Sequence, residues 1–189
     1  MSSNIVRLAV PMTLAQLVNV LYNIIDRIYI GRIGADATNA LTGLGVCFPI
    51  ITMILAFSNL VGMGGAPLFS MRRGAGDPEE AEAILGNCFS LLLGIGVSLT
   101  VFGLLIRRPL LLALGASETT LPYAMSYITI YLFGTIFVML SLGLNQFINA
   151  QGFGTTGMLT VIIGAVLNLI LDPIFIFVLH MGVRGAACA

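Results

Sequence analysis

The sequence predicts an all-α fold, a polytopic bundle of membrane helices, and two observations carry that prediction. Hydrophobic residues make up 58% of the 189-residue chain and charged residues only 8%. A soluble domain carries about 25% charged residues, so this chain lacks the charge to clothe a water-facing surface. The charges are also clustered: none lies between Asp36 and Arg72, between Glu82 and Arg107, or between Glu118 and Asp172. Each gap exceeds the roughly 20 residues that cross a bilayer as a helix. Lipid offers no partner to an unpaired backbone group, so apolar runs of this length must be helical.

Five complete spans and the start of a sixth are expected, at 5–30, 41–69, 84–106, 121–147 and 158–179. The first is longer than the apolar region of a cleavable signal and lacks a small-residue cleavage end, so it should remain as a membrane helix. Pro11 should bend it near its start. The glycines of 31–36 separate it from the second span. In the connector 71–80, Asp77 suits an N-cap, Pro78 the first helical position, and Glu80 the residue that reaches back in a capping box. Ser90, Gly94 and Ser98, at steps of four, form a small-residue face expected to pack on a neighbouring helix. Glycines in 152–157 read as a tight connector between the fourth and fifth spans. His180, ending the fifth span, reads as a structural interfacial residue.

Several function classes fall away. Net charge is zero, with eight arginines and no lysine, which leaves no basic patch for nucleic acid. Cys47, Cys88 and Cys188 have no metal-type spacing and read as free buried thiols; no cofactor or structural metal is expected. Gly152, Gly154 and Gly157 match G-x-G-x-x-G, but a membrane-length apolar run precedes them instead of a short strand. Gly74, Gly76 and Asp77 match the G-x-G-D of intramembrane aspartyl proteases. Asp77 already has a capping role there, amid arginines and glutamates, and a protease needs two carboxylates sharing one site. The chain reads as no enzyme.

Polar residues inside the spans carry the functional signal. Gln16, Asn19, Asn23 and Asp26 are spaced three, four and three apart, which sets all four on one face of the first span. That face is either an interhelical hydrogen-bonded seam or, on the weight of Asp26, a cavity lining. Arg27 points about 100° away and should snorkel outward. The fifth span carries Thr156, Thr160, Gly164, Asn168 and Asp172 at steps of four, with Pro173 next. Pro173 frees a carbonyl one turn earlier. A carboxylate, an amide oxygen and a free carbonyl suit a hard ion such as Na⁺. Burial beside a second carboxylate disfavours the charged form, so a proton fits as well. A membrane-buried acid costs roughly 2.5–3.5 kcal/mol on insertion scales and is rarely idle. Arginines at the two ends do not decide orientation. Parity alone makes spans one, three and five parallel, which puts Asp26 and Asp172 at similar depth near one face.

With these residues in place, the chain resembles the multidrug and toxic compound extrusion (MATE) family, in its DinF-like and MepA-like bacterial branch. The resemblance rests on Pro11, on Tyr22-Asn23-Ile24-Ile25-Asp26 and Ile30-Gly31, and on Phe48-Pro49-Ile50. Gly74-Ala75-Gly76-Asp77 and Asn149-Ala150-Gln151-Gly152 also fit. The most specific stretches are Asn168-Leu169-Ile170-Leu171-Asp172-Pro173-Ile174-Phe175 and Gly182-Val183-Arg184-Gly185-Ala186-Ala187. The resemblance covers essentially the whole chain. It implies a twelve-helix carrier of two six-helix lobes, with a cytoplasmic amino end, in a bacterial inner (plasma) membrane. It also implies a cation site of Asp26, Asn168 and Asp172, bordered by Ala186 in the sixth helix. Tyr22 and Asn145 match positions near the drug cavity, beside Asn19 and Asn23 of the polar face.

The implied function is efflux of amphipathic or cationic drugs by antiport against Na⁺ or H⁺. Residues 1–189 correspond to the amino-terminal lobe. The expectation is a truncated lobe that does not pump by itself, lacking its carboxy-terminal partner lobe and surrounded by membrane lipid. Two alternatives stand beside it. One is a lipid-linked oligosaccharide flippase of the same superfamily, which would be expected to carry a cationic cavity that these spans lack. The other is a structural half-transporter subunit.

Overall fold

The computed structural model describes residues 2–33 and 37–189, and of residues 2–8 the backbone alone. Residues 34–36 of the first connector and the side chain of Arg7 therefore lie outside the described residues. Among the described residues six α-helices follow in order: α1 (Ser2–Ile30), α2 (Ala37–Gly74), α3 (Pro78–Ala113), α4 (Leu121–Ala150), α5 (Gly154–Pro173) and α6 (Val183–Cys188). A π-helical turn, Ile174–Val178, extends α5. Among the described residues four helices, α2, α3, α4 and α5 with its extension, are long and apolar enough to cross a membrane. Helix α1 has 29 residues and carries Pro11 inside it. Among the described residues there is no strand. The surface is inverted relative to a soluble protein, with Leu105 and Phe137 each 74% exposed. This is a multi-pass membrane protein.

The parallel helices α2 and α4 form the backbone of the bundle. Their seam is built of small residues because lipid tails are as apolar as leucine, and burying large side chains therefore gains little. A Cβ on Gly43 would lie 3.0 Å from the carbonyl of Thr120, and one on Gly62 would lie 2.9 Å from the carbonyl of Gly143. Hydroxyls fasten the seam: Ser58 donates to the carbonyl of Met139 at 3.0 Å, and Ser70 to that of Ala150 at 3.1 Å. Phe69 and Phe147 close it edge to face.

Helix α3 lies antiparallel on α4. Leu92 fills the space over Gly143, Gly96 faces Ile136, and Thr100 donates to the carbonyl of Leu132 at 2.9 Å. The face used is therefore Cys88, Leu92 and Gly96, all buried. Ser90, Gly94 and Ser98 were the expected packing face, and the structure overturns that: all three are exposed, and nothing lies within 4 Å of a Cβ on Gly94. Both serine hydroxyls bond their own helix instead, to the carbonyls of Gly86 and Gly94. The packing face is offset because Leu92 meets the gap that Gly143 leaves, a fit set by α4 rather than by residue size on α3.

The connector before α3 matches its expected cap in part. Asp77 accepts from the Glu80 N–H at 3.1 Å, and Pro78 opens the helix. The Glu80 side chain does not reach back, because the Asp77 N–H already donates to the carbonyl of Arg72. Glu80 instead pairs with the Arg72 guanidinium at 2.9 Å. The glycine-rich turn between α4 and α5 is shorter than expected, since α5 starts at Gly154. The segment joins two helices, and Gly152 takes a positive φ of 87°. Of the thiols, Cys47 and Cys88 are buried, while Cys188 is exposed.

Helices α1 and α5 pack together as a pair beside this three-helix block. Their buried link to it is a small cluster of Ile30, Ala40, Leu44, Ile176, Val183 and Ala186, at the end where α6 crosses. Gly62→Ala should destabilise the chain by about 1–3 kcal/mol through overpacking against α4. Gly64→Ala, which meets nothing within 4 Å, should be neutral or stabilising by up to about 1 kcal/mol. Thermal unfolding in detergent of both variants checks the contrast.

Candidate functional site

Two acids define the site. Asp26 lies one turn before the end of α1, about 6 Å along the axis, and Asp172 is the penultimate residue of α5. Both therefore sit toward one end of their helices and not at mid-span. Asp172 is fully buried, Asp26 half-buried, and Asp172 lies within electrostatic reach of Asp26. Each has a buried carboxylate oxygen with no hydrogen-bond partner, Oδ1 of Asp26 and Oδ2 of Asp172. Buried polar atoms are nearly always satisfied, and of such unpartnered atoms, Asn149 Oδ1 among them, these two carboxylate oxygens face one another's electrostatic field from neighbouring helices, which makes them the candidate site.

Asn168, one turn before Asp172, brings its Nδ2 to 3.5 Å from Asp172 Oδ1. Its amide thus orients one carboxylate oxygen and leaves the other open. Pro173 lacks an N–H, and the helix beyond it widens into the π turn, a form frequent at functional sites. Ala186 is buried in the cluster with Ile30 and Ile176, each one turn beyond an acid on its helix. There α6 runs against the chain so closely that a Cβ on Gly185 would lie 2.7 Å from the carbonyl carbon of Phe175. Among the described residues no group of three or more His, Cys, Asp or Glu gathers as a metal site. Two carboxylates with amide and carbonyl oxygens suit a hard monovalent ion or a proton.

The remaining expected residues divide. On α1, Asn23 donates to the Asn19 carbonyl at 2.7 Å and to Asn19 Oδ1 at 2.9 Å. These bonds lie within one helix and do not join it to another. Tyr22 is half-buried and within reach of Asp26. Asn145 belongs to the α4–α5 seam: its Nδ2 donates to the carbonyl of Gly157 at 3.2 Å and to Thr160 Oγ1 at 2.8 Å. Its Oδ1 accepts from Asn149, so both ends of this amide are occupied. Arg27 is exposed as expected and covers the Phe48 ring at 4.5 Å.

Two residues near the acids escaped the sequence reading. Tyr127 and Tyr131 stack with ring centroids 6.1 Å apart on α4, and Tyr127 interacts electrostatically with Asp26 and Tyr22. Tyr123, Tyr127 and Tyr131 recur at steps of four, a signal that marks one helical face.

The MatE family profile matches residues 11–174. The chain belongs to the MatE family. It is 32% identical over 179 residues to the multidrug export protein MepA of Staphylococcus haemolyticus, covering 95% of this chain and 39% of that protein. It is 29% identical over 183 residues to MepA of Staphylococcus aureus, with the same coverage. A solved structure described as the outward-facing conformation of a multidrug resistance MATE family transporter of the MOP superfamily superposes with a TM-score of 0.90. That match has 32% identity and covers 97% of this chain and 40% of the other. The MatE chain here thus spans about two fifths of the length of these relatives, and its helices form part of one lobe of such a transporter.

Asn145→Ala should loosen the α4–α5 seam by roughly 1 kcal/mol, the usual worth of polar contacts between membrane helices. Equilibrium unfolding in mixed micelles measures it, and Thr160→Val should give a smaller loss on the same seam.

Proposed function

We propose that this lobe is the cation-coupling part of a multidrug efflux transporter in a bacterial plasma membrane, working with a carboxy-terminal lobe. Asp26, Asn168 and Asp172 take up Na⁺ or H⁺, and Ala186 borders them. Asn19, Tyr22 and Asn23 line the face that receives an amphipathic or cationic drug, and Asn145 supports that cavity through the α4–α5 seam it fastens. The reading rests on one observation, the two unpartnered carboxylate oxygens buried on adjacent helices. The family membership and the names of the relatives support it.

The chemistry is a switch of buried charge. Asp26 and Asp172 repel one another when both are ionised in a medium of low dielectric. Accepting a cation or a proton neutralises them and favours the conformation that encloses the pair. Losing it favours the conformation that opens them to water. A drug bound on the polar face of α1 experiences two different surroundings, which is the differential interaction that coupling requires. Alternating access then needs a second bundle to move against this one.

In a full-length transporter carrying this lobe, Asp26→Asn and Asp172→Asn should each reduce ethidium efflux by about tenfold or more, the loss of a charge used at every turnover. Unchanged efflux in both variants refutes the assignment. Varying Na⁺ and pH independently in the parent protein identifies the coupling ion.

A further inference from the structure

A second polar site, lined by other residues than the acids, lies near the end of α3. Arg107 of α3, Ser126 and Thr129 of α4, and Arg184 of α6 line one open notch of about 370 Å³ with Met125 and Ile130. Arg107 is held in place: its Nη1 donates to Thr129 Oγ1 at 3.0 Å, and that hydroxyl donates to the carbonyl of Met125 at 2.6 Å. Its remaining N–H groups stay available. Among the described residues neither Arg107 nor Arg184 has an acidic partner, and the Ser126 hydroxyl makes no hydrogen bond. Two guanidinium groups share a notch that supplies them with no negative charge.

Position identifies what does. Arg107 is the first charge after the charge-free stretch 83–106, which sets it at the boundary between acyl chains and headgroups. Guanidinium forks bind phosphate oxygens in pairs, and the Ser126 hydroxyl adds one more donor. Met125 and Ile130 supply an apolar wall on the same notch, which a free inorganic anion cannot use and a lipid tail can. We propose that this notch binds the phosphate of an anionic phospholipid in the leaflet where α3 ends, between Arg107 and Arg184, its tail lying on Met125 and Ile130. The site bridges α3, α4 and α6, so the bound lipid ties the sixth helix to the three-helix block.

The test uses the 189-residue chain in detergent with equal amounts of dioleoyl-phosphatidylglycerol and dioleoyl-phosphatidylcholine, retained lipids being counted by native mass spectrometry. The parent chain should prefer phosphatidylglycerol, Arg184→Gln should lose about fivefold of that preference, and the double variant with Arg107→Gln should retain none. Arg108→Gln, an exposed neighbour outside the notch, should keep it. Among the described residues the Arg184 side chain makes no hydrogen bond, so its variant reports on lipid even if the double variant fails to fold. Absence of any preference in the parent, or its survival in Arg184→Gln, overturns the proposal. Displacement of the lipid by millimolar inorganic phosphate would assign the notch to a free anion and overturn it equally.

Discussion

The close approach of α2 and α4 is the constraint on which the rest of this lobe depends. Lipid removes the hydrophobic gain that would otherwise press helices together, so contact must come from backbone proximity and polar fastening. Gly62 and Gly143 supply the proximity, and Ser58 and Ser70 the fastening. The gap at Gly143 is used twice, because Leu92 of α3 enters it from the other side. One residue without a side chain thus fixes the spacing of three helices.

Against that block, α1 and α5 are held differently. Asn145 bonds to Gly157 and Thr160 toward one end, and the cluster around Ile30, Ile176 and Ala186 closes the other. The costly polar groups are concentrated on this less tightly enclosed pair. A rigid, small-residue seam would leave no room for a carboxylate with an open oxygen. The pair also carries both backbone irregularities that border the acids, Pro173 and the π turn after it.

Much of this was legible in the sequence, for reasons that differ by residue. Helices were forced by charge-free length, and parity made α1 and α5 parallel, a result that needs no packing information. The Asp77 cap was visible because it is local. Rotation about helix axes was not visible. Ser90, Gly94 and Ser98 satisfy the same small-residue rule as Gly62 and Gly65, yet the former lie outside and the latter inside. What separates them is the partner surface: Gly62 meets Gly143 of α4, and Gly65 meets Cys88 of α3 and Phe147 of α4. Asn145 shows the same limit, since an amide on a membrane helix serves equally well as seam or as lining until its partners are known. The tyrosines of α4 were readable from their spacing and were overlooked because aromatic residues in apolar helices carry little signal alone.

The location of the acids constrains how charge can act on shape. Lying one turn from the end of α1 and at the end of α5 proper, they sit beside the cluster that joins this pair to α6 and to the start of α2. Ionising both would put two like charges next to the apolar contacts of Ile30, Ile176 and Ala186, where their mutual repulsion is poorly screened. Neutralising them removes that penalty and leaves the cluster closed. The π turn provides slack at the same point, because a widened helix can return one residue to α-helical register without breaking the chain. On the proposed function, a charge change at the acids would act first on the π turn that begins at Ile174, next to the apolar cluster that joins α1 and α5 to α6.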